Sequence, residues 1–102
     1  MVKIKISKQA QNDMRQIYDY VSDTSFQNAD MLIEKFILKI DSLKTFSERG
    51  KIVKEFADPA IREVSVYKFR IIYKLSPRFV RIVTVHHSSR LLTNNPFYKR
   101  RR

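Results

Sequence analysis

From Ala10 to Leu43 the apolar residues recur with helical spacing in two runs, and only a few residues separate them. The first stripe is Ala10, Met14, Ile17, Tyr18 and Val21, with Ser7 placed to cap it and an expected end near Ser22–Asp23. The second is Ala29, Leu32, Ile33, Phe36, Ile37, Ile40 and Leu43, about six turns long. Thr24 with Gln27 three residues on has the form of a capping box opening that helix. Phe46 extends the stripe, and Gly50 stands where a left-handed C-terminal cap is expected. A connection this short makes the two helices an antiparallel hairpin. Each stripe then needs a common surface to cover.

The second half of the chain supplies that surface. Three runs rich in β-branched and aromatic residues predict strands over Ile61–Val66, Lys68–Leu75 and Phe79–His86. Ser76-Pro77-Arg78 is a turn, and Val66–Lys68 a tighter one, so the three are antiparallel neighbours. Val2-Lys3-Ile4-Lys5-Ile6 alternates with period two and reads as a further short strand at the start. The expected class is α+β: an N-terminal strand, the helical hairpin, then a three-stranded antiparallel sheet with helices on one face and the other face open. Residues 1–92 form one domain. From Arg90 the pattern fails; Asn94-Asn95-Pro96 is a break, and residues 93–102 read as a basic tail, mobile over Lys99–Arg102.

Composition excludes several classes. The absence of Cys removes a disulfide scaffold, a Cys-ligated metal and a thiol nucleophile. With one Gly there is no phosphate-cradling loop, and no cofactor is expected. No apolar run approaches the roughly 20 residues of a membrane span, and the N-terminus has no signal-peptide core, so a cytoplasmic location is expected. The extreme quantity is the net charge of +11. Residues 1–48 carry seven acids and seven bases, whereas residues 49–102 carry fourteen bases against Glu55, Asp58 and Glu63. A field this one-sided attracts nucleic acid or an acidic protein.

Strand alternation sorts the candidates for contact. Arg70 and Lys74 share a face, and Arg62 on the neighbouring strand extends them into a basic row able to bind phosphates or an acidic segment. Arg81 belongs to the last strand and Arg90 follows it. Arg70 lies within an apolar run, so an ion pair with Glu63 competes with ligand contact. His86-His87 is the only local pair suited to acid–base chemistry; adjacent strand residues point opposite ways, so at most one serves a site. For RNA cleavage, Glu63 is the base, one histidine the acid, and Arg62, Arg70 or Arg90 the phosphate clamp. A structural hydrogen-bonding histidine is the competing reading, and the pair does not make a metal site. Phe69 and Tyr73 fit the core as well as they fit base stacking, while Phe97 and Tyr98 lie in the basic tail.

Taken in order, Gly50-Lys51-Ile52-Val53-Lys54-Glu55-Phe56, Ile61-Arg62-Glu63-Val64, Tyr67 through Tyr73, and Val85-His86-His87 with Arg90 resemble the RelE/ParE toxin superfamily. The ParE-like, plasmid-stabilisation branch is the nearest, and the resemblance spans nearly all of residues 2–92. It implies a type II toxin–antitoxin pair: a growth-inhibiting toxin neutralised by a cognate acidic antitoxin within a hetero-oligomer. ParE-like members act on DNA gyrase without catalytic residues of their own. RelE-like members cut messenger RNA on the ribosome, and that alternative implies Glu63, Arg70, His87 and Arg90 as the catalytic group. In either case Arg62, Arg70, Lys74, Arg81, His86, His87 and Arg90 are the expected binding residues. Tyr98, beyond a Pro break, does not clearly match the C-terminal tyrosine of the ribonucleases.

Overall fold

The computed structural model describes residues 2–101. Strand β1 (Lys3–Ile6) leads into helix α1 (Lys8–Ser22) and helix α2 (Phe26–Ser42). Then come β2 (Lys51–Ile52), β3 (Ile61–Val66), β4 (Phe69–Leu75) and β5 (Phe79–His87), a short 3-10 turn (Leu92–Asn94) and α3 (Pro96–Arg101). No described helix is long and apolar enough to cross a membrane.

The helical hairpin forms as its stripes require. Ser7 caps α1, its hydroxyl accepting the Ala10 amide at 3.1 Å. The α2 cap is Ser25 and not Thr24: Ser25 is extended and its hydroxyl accepts the Asn28 amide at 3.1 Å. The Thr24 and Ser25 amides both close α1 on the Val21 carbonyl, and α2 opens after Ser25, one residue later than expected. The second helix also stops at Ser42, well before Gly50, and Phe46 is exposed. The Lys44 carbonyl there accepts the Val2 amide, tying the hairpin's end to the base of β1.

Five strands form one mixed sheet in the order β1-β5-β4-β3-β2, where three antiparallel strands were expected. The core trio is as predicted, but β1 joins it by pairing parallel with β5, Lys3 opposite Phe79 through Ile6 opposite Ile82. The two-residue β2 adds to β3. Ala10, Phe36 and Ile40 of the helices, with Leu43 capping α2, pack on Ile71, Tyr73, Val80, Ile82 and Val85, with Phe36 edge-on to Phe69 at 5.5 Å.

The far side of the sheet is not open, as had been expected, but carries a second core. Val53, Ile61, Ile72, Val83, Leu92 and Phe97 cluster there with the half-buried Phe56. The physical reason lies in β4 and β5, which have apolar residues on both faces and so must be covered twice. One cover is the loop between β2 and β3. The other is the segment beyond Arg90, whose Leu92 and Phe97 are buried; the stretch read as a tail is therefore anchored through Phe97, with Phe56 meeting Phe97 and Tyr98 at 5.4 and 5.3 Å. Arg102, the end of the expected mobile run, lies outside the described residues.

Candidate functional site

Strict alternation along β5 fails at one residue. Ile72 pairs with Thr84 but Tyr73 pairs with Ile82, so Val83 is the extra residue of a β-bulge. Past it the parity inverts: Val85 and His87 face the helices, while Thr84 and His86 lie on the far face with Arg81. Arg62 also differs from expectation. It pairs with Tyr73 and shares that residue's helix-side face, so it does not extend the Arg70–Lys74 row. Its guanidinium donates to the Pro59, Glu48 and Gly50 carbonyls at 2.9, 3.1 and 3.2 Å, bracing the loops beside β3.

Arg70 is closed within a carboxylate clamp. Nε and Nη2 donate to the two Glu63 oxygens at 2.8 and 2.7 Å, and Nη1 and Nη2 to the two Glu55 oxygens at 3.1 and 3.0 Å. Two bidentate pairs occupy four of the five N–H donors. The hydrogen bonds from Glu63 first, then Glu55, push the guanidinium pKa further up. Of the two outcomes open for Arg70, the structure takes the internal ion pair. The Arg70 hydrogen bonds hold the Glu55 carboxyl below its ordinary value of 4.5. A depressed carboxylate contributes stability that is complete above its unfolded value and is lost as pH falls through the folded one. Melting temperature should therefore drop below about pH 4.5, and Glu55→Gln should flatten that drop in a thermal titration between about pH 3 and 6.

His86 belongs to a second internal network. The Asn95 Oδ1 accepts the Phe97 amide at 2.8 Å and Gln9 Nε2 at 3.0 Å. Its Nδ2 is thereby turned to Thr84 Oγ1 at 3.1 Å and to His86 Nδ1 at 3.0 Å. That makes Nδ1 an acceptor and leaves Nε2 to donate to the Arg90 carbonyl at 3.0 Å. The Thr84 hydroxyl donates to Asp13 Oδ2 at 2.6 Å, which also accepts from the Val85 amide at 3.0 Å. Both ring nitrogens of His86 are thus used in holding the C-terminal segment to β5. His87 lies on the other face, edge-on to Phe69 at 5.2 Å, with Nδ1 accepting from Ser89. Glu63, Arg70, His87 and Arg90 do not converge: the first two are locked to each other, His87 is across the sheet, and Arg90 is exposed. Among the described residues there is no cluster of metal-ligating side chains.

Two cationic features remain available. The first is a cross-strand row on the far face, where Lys5 stands opposite Arg81 and Arg81 opposite Lys74, with Lys3 two residues along β1. None of the four makes an ion pair among the described residues. Lys74 and Arg81 were expected contacts, whereas Lys3 and Lys5 were not. The signal was the Lys–Ile alternation itself, but its partner strand was not legible. The second feature is a groove of about 410 Å³ between α2 and the β3–β4 turn. Lys35, Leu38 and Lys39 of α2 line it, with Arg49, whose Nη1 donates to Ser42 Oγ at 3.2 Å, and Tyr67 of the turn. Tyr67 has φ of 52°, the one positive value at a non-glycine residue described, and an exposed ring over which the Lys35 ammonium sits at 5.5 Å.

Known proteins match this architecture. The solved chromosomal ParDE toxin–antitoxin system from P. aeruginosa shares 18% identity at a TM-score of 0.71, over 85% of this chain and 96% of that one. Two structures of the E. coli DinJ–YafQ toxin–antitoxin complex match more loosely. One has 12% identity and TM-score 0.57, over 87% of this chain and 96% of that one. The other has 16% and 0.52, over 86% and 93%. Among curated protein sequences no match is found. A family model described as the ParE toxin of the type II toxin–antitoxin system parDE covers residues 4–92, from β1 to the first buried residue of the C-terminal segment. The strand–hairpin–sheet order expected from the sequence and that span agree, and the chain belongs to the ParE toxin family.

Proposed function

We propose that this chain inhibits growth by poisoning DNA gyrase, stabilising the enzyme's cleaved-DNA state, and that a cognate acidic antitoxin neutralises it. The observation that carries the neutralised half of this reading is the groove between α2 and the β3–β4 turn. Three cations, Lys35, Lys39 and Arg49, rim apolar ground offered by Leu38 and Tyr67, which suits an acidic segment with an apolar anchor. The similar solved structures, a ParDE system and a DinJ–YafQ toxin–antitoxin complex, support an antitoxin partner. The gyrase target rests on membership of the ParE family. The ribonuclease alternative gains no support from the geometry, because Glu63 and Arg70 are locked to each other while His87 lies across the sheet and Arg90 is exposed.

Incubating the purified protein with gyrase, ATP and supercoiled plasmid tests the target. Linear DNA accumulating with toxin concentration is the expected result. Unaltered plasmid together with codon-phased cuts in translated messenger RNA would replace this reading with the ribonuclease one. Charge reversal at Lys35 and Lys39 should weaken capture of the antitoxin encoded beside the toxin by at least about tenfold, measured by calorimetry, through lost charge complementarity and steering.

A further inference from the structure

We infer that the far-face row Lys5–Arg81–Lys74, extended by Lys3, is a seat for the phosphate backbone of duplex DNA. This rests on the reading that the toxin acts on a gyrase–DNA complex, and it adds that the toxin touches the DNA itself. Strand register places the three cations side by side on neighbouring strands, about 4.8 Å apart in backbone spacing. Like charges directly opposite one another destabilise a sheet, and among the described residues no acid pairs with any of them. The contrast with Arg70 on the same face is direct, since two carboxylates serve that cation.

The row is also presented outward. Lys3, Lys5 and Arg81 are exposed and Lys74 half-buried, beyond the margin of the second core. The Lys5 ammonium rests over the Phe79 ring, 4.2 Å from its centre, which occupies the aromatic nearest the row. A strip of this kind offers point charges on an open surface and no free stacking platform. Single-stranded nucleic acid is bound largely through stacking. A duplex, with a charge every ~1.7 Å of axis, requires only the cations.

The test is fluorescence anisotropy of a labelled duplex of about 20 base pairs, titrated with the toxin across a salt series. Each phosphate neutralised contributes about 0.9 to the slope of log affinity against log salt. The triple variant Lys5→Gln, Lys74→Gln, Arg81→Gln should therefore lose about 2.7 of that slope. A control with the same charge change, Lys8→Gln, Arg15→Gln, Lys68→Gln, should keep it. Equal loss in both variants, or none in the first, would overturn the inference, as would tighter row-dependent binding of an RNA duplex or of poly-glutamate. Thermal melts of both variants confirm that each is folded. Row-dependent duplex binding without linear DNA in the gyrase assay would remove the proposed target and keep the seat. Gyrase poisoning combined with row-independent binding would do the reverse.

Discussion

Arg70→Ala should destabilise the fold by about 3–5 kcal/mol, the range for removing one partner of a buried ion pair. Glu63 is only 5% exposed, and without the guanidinium its charge faces Glu55 with nothing between them. The loss should register as a lower denaturant midpoint. Replacing the pair by apolar residues of similar size, Arg70→Met with Glu63→Leu, should recover most of the stability, since well-packed apolar substitutes for buried pairs are often neutral or better. A single variant that melted like the parent would show that the clamp contributes nothing net.

Gly50→Ala should be nearly as damaging. A Cβ at this position would lie 2.5 Å from Tyr73 Oη and 2.7 Å from the Glu63 carbonyl oxygen. The glycine is needed for close approach and not for a left-handed cap, as its φ is not positive. Its amide donates to Tyr73 Oη at 3.0 Å, and that hydroxyl donates to the Ser47 carbonyl at 2.9 Å. The ring is fully buried, and desolvation raises the phenol's pKa. An added methyl must therefore displace a core tyrosine or a strand backbone. Overpacking costs about 1–3 kcal/mol, and the two lost hydrogen bonds add about 1 kcal/mol each. Tyr73→Phe, which removes the bonds and leaves the packing, should cost only the second part in equilibrium unfolding.

These two sites show where the sequence was transparent and where it was not. The helices and β3 to β5 were legible because helical spacing over Ala10–Leu43 and the β-branched runs after Ile61 are local signals. The parallel docking of β1 was not, because Lys3–Ile6 finds its partner across most of the chain. Two residues of β2 are too few to show a period. The bulge at Val83 has no local mark, as Ile82-Val83-Thr84-Val85 reads equally well in either register, so strict alternation could not tell which face His86 and His87 take. Leu92 and Phe97 lie in a stretch with no strand or helix period, and Phe97 was read with Tyr98 as part of a basic tail. Their burial follows only once the second face of β4 is known to need covering. At the candidate site, the Arg70–Glu63 pair was one of two open readings beside ligand contact, but Glu55 arrives from a loop, where no alternation predicts direction.

The parallel pairing of β1 with β5 sets an order of events during synthesis. Ser7 Oγ donates to the Val83 carbonyl across 76 residues of chain, and Gln9 reaches Asn95 across 86. A nascent polypeptide that has delivered only its helices to the outside of the ribosome has no surface on which to lay them, and its first strand waits unpaired. Contacts so distant along the chain form late, after their loop-closure entropy has been met. Assembly of the cationic row that spans β1, β5 and β4 accordingly waits until β5 has been synthesised. Until then Lys3 and Lys5 have no neighbouring strand to hold them beside Arg81.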